Sequence, residues 1–247
     1  GAGALDGSPA AAEAALRALH AVLAEAGEHS LPVRASAEIM CGKLLCNLGR
    51  YDAALPHHER ARDLGERLGS DLLRFAAVTG TVKTLLVKGD IAGATGRAAA
   101  ELERRQALRE ILGVQVANLH SMIALARLER NEPERARDAL QRAWHAMGAD
   151  PLHPDAWRVM LRLDRARHVP FHSTTPLSFF GLNAHIRLLL RTGDTAEARH
   201  CFAIAERSVG VDAPHAVRVV IEALRVRIMI ALGETSRLQR WPRLDLA

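Results

Sequence analysis

Aromatic residues make up only 4% of this 247-residue chain, and lysine and cysteine occur three times each. So few aromatics leave the core to Ala, Leu, Val and Ile, which suit close-packed helices better than a β-sandwich. Cys41, Cys46 and Cys201 are odd in number and sit inside apolar helical patterns. They read as buried, reduced thiols, which points to a reducing cytosol rather than to disulfides. The longest uncharged stretch, 168–186, holds two prolines and several polar residues, so it does not read as a membrane span. Glu13 and Arg17 interrupt the first apolar run, so no signal peptide is expected.

Catalytic motifs are missing as well. There is no GxSxG elbow and no HExxH pair, and the "CGKLL" of 41–45 lacks the other residues of a phosphate-binding loop. Cys41 and Cys46 lie five apart on a helical pattern and read as core rather than metal ligands. His57 and His58 are adjacent and point in different directions, which makes a poor chelate. His168, His172 and His185 fall near one loop without supporting cysteine or carboxylate spacing. No enzyme, no metal and no cofactor is expected, and no DNA-binding or NTPase motif is present.

What the chain does have is a recurring phrase. "LLRTGDTAEA" at 189–198 is echoed by "LCNLGRYDAA" at 45–54, "LLVKGDIAGA" at 85–94, "RLERNEPERA" at 127–136 and "MIALGETSRL" at 229–238. The turn residues are Gly7, Gly49, Gly89, Asn131, Gly193 and Gly233, at intervals of 42, 40, 42, 62 and 40. Such a period marks a helical solenoid. Leucines end one helix, and the glycine or asparagine takes the left-handed conformation that stops it. A polar residue then starts the next, with capping-box spacing in Asp194–Glu197 and Asn131–Glu134. Five places past the turn stand Ala12, Ala54, Ala94, Ala136 and Ala198, small enough for close helix approach, with Leu238 as the exception. Twelve places past it stand Ala61, Ala143 and Ala205, while Leu19 and Glu101 break the pattern.

This pattern predicts about twelve helices: 9–26, 32–48, 51–68, 71–88, 91–107, 109–130, 133–147, 154–167, 175–192, 195–209, 213–232 and a short one near 235–240. The expected fold is all-α, a right-handed solenoid forming a single domain over 1–247. An extra helix and aromatic loop at about 150–182 account for the long interval and carry Phe171, Phe179 and Phe180. Arg158, Arg162 and Arg165 share a face of that extra helix. Because the repeat is interrupted at both ends, the chain is expected to be a fragment of a longer polypeptide.

The spacing, small residue included, resembles the tetratricopeptide repeat family, although the unit is longer and the family's aromatic and proline signposts are mostly absent. The longer repeats, and the stretch "EALRVRIMIALGETSRLQRW", are similar to the sensor region of MalT-like (large LuxR-type) bacterial transcription regulators. That resemblance implies a cytoplasmic sensing or interaction domain whose DNA-binding and NTPase activities lie outside this chain.

In the tetratricopeptide pattern, the position six residues before the turn faces a concave groove. Here it holds Lys43, Lys83, Leu125, Arg187 and Arg227, so four of five are basic and two of the three lysines are among them. Beside this line fall Asn118, Phe180 and Asn183, suited to hydrogen bonds and an apolar contact. The expected ligand is an acidic peptide or protein segment, or an anionic small molecule. The net charge of +5 permits such a partner without requiring it. Direct nucleic-acid binding and membrane association are not expected. The alternative is a protein–protein scaffold or adaptor with no small-molecule trigger.

Overall fold

The computed structural model describes residues 9–26, 30–104, 113–146, 177–208 and 215–234. Within them lie ten α-helices and no β-strand: α1 (Pro9–Glu25), α2 (Leu31–Asn47), α3 (Tyr51–Arg67), α4 (Asp71–Lys88), α5 (Ile91–Arg104), α6 (Gly113–Glu129), α7 (Pro133–Ala146), α8 (Leu177–Thr192), α9 (Thr195–Ser208) and α10 (His215–Ala231). Each of these was anticipated to within a few residues. The helices expected over 154–167 and near 235–240, with Phe171, His168, His172 and the three arginines of the extra helix, lie outside the described residues.

The turn residues behave as the phrase requires. Gly49, Gly89, Asn131, Gly193 and Gly233 all have positive φ, from 59° at Asn131 to 89° at Gly89. Asn131 is the one non-glycine among the described residues in that region, and asparagine tolerates it best. At Gly89 the backbone N–H groups of residues 89 and 90 return to the carbonyls of Leu86 and Leu85, which satisfies the helix end. Asp194 then caps α9 by accepting from the backbone N–H of Glu197 at 3.2 Å, and Asp90 does the same for Gly93 at 2.8 Å. Asn131 and Glu134 take other partners: the Asn131 amide oxygen accepts from Arg191, and Glu134 pairs with Arg137.

Alanine sets the packing distance. Ala54, Ala94, Ala136 and Ala198 have relative exposures of 0, 1, 0 and 0%. Ala61, Ala143 and Ala205 are buried too. Glu101, which interrupts that second series, is also buried, and its carboxylate takes the guanidinium of fully buried Arg74. The break in the alanine pattern is therefore one half of an ion pair between α4 and α5.

Every consecutive pair of helices is in contact, and so are α2 with α4, α4 with α6, α6 with α8 and α8 with α10. The first helix of each pair thus stacks on the first helix of the next. The apolar core lies between this layer and α3, α5, α7 and α9. Phe75, Val82, Ala98, Leu119 and Met122 fill it in the middle, and Trp144, Leu182, Ile186, Phe202 and Leu224 near the last helices. Among the described residues, no helix is long and apolar enough to cross a membrane.

Candidate functional site

Equivalent positions of α2, α4, α6, α8 and α10 run along the first-helix layer, and the predicted basic line follows them. The structure divides that line in two. Leu125 on α6 is buried, as are its neighbours Asn118 and Ser121, so the middle of the line is uncharged and closed. The Asn118 amide nitrogen is buried without a hydrogen-bond acceptor among the described residues.

At the α8–α10 end, Arg187 and Arg227 meet Arg191 around a groove of about 270 Å³. Its apolar wall is Leu128, Leu190, Ile230 and Ala231. Arg187 is only 13% exposed and binds the Glu129 carboxylate at 2.7 Å. Arg191 donates to Asn131. Arg227 is exposed, and its guanidinium is held below its ordinary proton affinity by partial burial first, then by the charge of Arg187. Asn183 is half-buried on α8. Phe180, one turn earlier, is packed against two clusters of the core, with Val116, Leu119 and Leu140 among their members.

At the α2–α4 end, Lys43 and Lys83 are half-buried. Lys83 reaches only the Asn47 side-chain oxygen, at 3.4 Å, and Lys43 has no hydrogen-bonding or ionic partner among the described residues. Burial pushes the basicity of both ammonium groups down, and the charge of Lys83 pushes Lys43 down further. Thr79 lies four residues before Lys83, on the same face of α4. Its hydroxyl is buried and unpartnered.

Behind the lysines, α3 inserts His58 between α2 and α4. The ring is 1% exposed, and both nitrogens lack a partner among the described residues. Glycines make the slot: a Cβ at Gly42 would fall 2.5 Å from the ring, and one at Gly80 only 2.3 Å. Burial, then the charges of Lys43 and Lys83, bring the imidazole down to about 3. His57 points the other way, as its adjacency to His58 implied. It meets Glu38 at 2.5 Å, and Arg60 meets the same carboxylate at 2.8 Å. Burial would raise the Glu38 carboxyl, but these hydrogen bonds hold it below its usual range. Glu38 is thus already engaged.

Sequence reasoning missed His58, Glu129 and Arg191. A histidine standing where the other repeats have Ala98, Leu140 and Phe202 was the available signal for the first. Among the described residues no group of His, Cys, Asp and Glu side chains is placed to hold a metal ion. The three cysteines are free and buried, and burial pushes Cys41 up to about 11 and Cys201 up to about 12, so both are unreactive thiols. The chain matches no protein-family model, and no curated protein is similar to it at a significant level.

Proposed function

We propose that this chain is a non-catalytic binding domain, a right-handed α-solenoid of tetratricopeptide-like helix pairs that takes an acidic ligand along its first-helix layer. The observation that carries this reading is the pair Lys43 and Lys83: two neighbouring, half-buried cations without a carboxylate partner among the described residues. Two other buried cations are matched, Arg74 by Glu101 and Arg187 by Glu129. Removing like charges from water without compensation is unfavourable, and an anionic ligand would supply the compensation.

The α8–α10 groove favours an acidic peptide over an enclosed metabolite. Arg191, Arg227 and Ile230 are exposed at its rim, and its apolar wall suits an aliphatic side chain next to a carboxylate. Ligand spanning several helix pairs favours one curvature of the stack and biases whatever domain is attached. This mechanism fits the sensing or interaction part of a cytoplasmic bacterial regulator, the role implied by the resemblance to MalT-like proteins.

The test is fluorescence anisotropy with a labelled peptide of alternating glutamate and leucine, at low and high salt. Charges beyond about 8 Å are screened at physiological ionic strength, so affinity should fall as salt rises. It should fall again in Lys43→Glu/Lys83→Glu and in Arg187→Gln/Arg227→Gln. Glutamine is used at Arg187 because charge reversal there would set a second carboxylate against Glu129. Equal affinity in the parent and both double variants overturns the groove and leaves a scaffold that binds through another face.

A further inference from the structure

We propose that Lys43, Lys83 and Thr79 form a subsite for a phosphoryl dianion, bridging α2 and α4. The proposal rests on the reading of the first-helix layer as an anion-binding face and names the chemistry of one end of it. Three observations point to this class of ligand. The first is the charge: two ammonium groups on the contacting helices α2 and α4, repelling each other and unopposed by any carboxylate among the described residues, match a doubly charged anion better than a single carboxylate.

The second is the choice of side chain. Thirty of the 33 basic residues are arginine, yet this place holds two of the three lysines. Arginine's planar fork suits carboxylates and phosphates bidentately, whereas lysine acts as a compact point charge. Two such points on adjacent helices can approach a tetrahedral anion from different sides. The third is the Thr79 hydroxyl, which is buried, unpartnered and on the Lys83 face. A buried hydroxyl left without a partner is costly, and a phosphoryl oxygen would accept a hydrogen bond from it. The glycine slot keeps this geometry fixed, because His58 fills the space between α2 and α4 and holds them apart.

The scarcity of lysine makes the test direct. Protein carrying ¹³C-labelled lysine gives three side-chain signals, of which Lys88, exposed and paired with Asp52, serves as the internal reference. Inorganic phosphate should shift the Lys43 and Lys83 signals saturably and leave Lys88 still. Lys83→Met should abolish the Lys43 shift, whereas Lys83→Arg should keep part of it. Thr79→Val, a near-isosteric change, should weaken phosphate by roughly three- to tenfold, the range for loss of one hydrogen bond.

If all three lysines move together and without saturation, phosphate is acting only as salt and the subsite is refuted. If succinate binds as tightly as phosphate, the phosphoryl preference is overturned while the anion-binding face stands. If the glutamate–leucine peptide binds but a phosphoserine version of it leaves Lys43 and Lys83 unmoved, the ligand uses only the arginine end and the subsite is again refuted. A phosphoserine peptide that binds more tightly than free phosphate supports the subsite and places the group on a peptide. Equal affinity supports the subsite with a small anion as its ligand and counts against the peptide reading.

Discussion

Lys43 and Lys83 at one end of the first-helix layer, and Arg187 and Arg227 at the other, hold the same place in their repeats. Their electrostatic situations differ. Arg187 has Glu129 at 2.7 Å, a residue outside the column, whereas Lys43 has no partner among the described residues. Position in a repeat sets where a side chain is displayed. Whether its charge is available to a ligand depends on a neighbour that the repeat does not specify.

The sharpest test of that distinction is Arg74, the most deeply buried cation among the described residues, which is matched by Glu101. Arg74→Met leaves a buried carboxylate without its guanidinium and should cost about 3–5 kcal/mol. A change in denaturant midpoint much smaller than that would mean that the pair is solvated, and the contrast with the lysines would lose its meaning.

Acid should weaken both ends alike. His58, at the lysine end, and His185, at the arginine end, are driven by burial to about 3 and about 4. The unfolded chain takes up protons near pH 6.5 that the folded chain refuses, so their contribution is complete above that pH. It declines as pH falls toward the folded values. By about pH 5 each should have removed roughly 2 kcal/mol. His58→Leu, which puts an apolar side chain in an otherwise apolar column, should remove half of this acid sensitivity in urea titrations. An unchanged pH dependence in that variant would show that His58 is solvated.

The joints beneath the two ends give a further comparison. Gly80→Ala would drive a methyl group into the His58 ring, and Ala198→Leu would overfill the contact between α8 and α9. Each should cost about 1–3 kcal/mol. His58→Ala should rescue the first variant and not the second; rescue of neither would place the strain elsewhere.

The smallest expected effects have opposite signs. Lys83→Met removes a like charge and should raise stability by about 0.5 kcal/mol or less, while Arg187→Met loses its Glu129 contact and should lower it by about 0.2–1 kcal/mol. Thermal unfolding of the two variants under one set of conditions reads the sign. A shared sign would erase the difference between the ends.

The helices and the alanine contacts were legible in the sequence because they repeat: the same turn and the same small residue recur at fixed spacing, so each copy supports the others. Glu129, Asn131 and Arg191 pair across helices far apart in sequence and only once each, so no periodic signal announces them. Glu101 and His58 did leave a trace, as irregularities in otherwise apolar columns. An exception to a repeat carried more information about the site than the repeat itself. The repeat placed Arg187 on the basic line but gave no sign of its carboxylate partner on α6.

The contacts between helices one or two places apart have a mechanical meaning. Among the described residues the main contacts join near neighbours, and a stack joined in that way bends like springs in series, with most of the deflection at the softest joint. The imidazole held between Gly42 and Gly80 is a rigid shim at one joint, since tilting α2 against α4 in either direction presses backbone onto the ring. Any bending of the molecule would then be concentrated beyond α4, toward the arginine end, with the α2–α4 pair moving as one block.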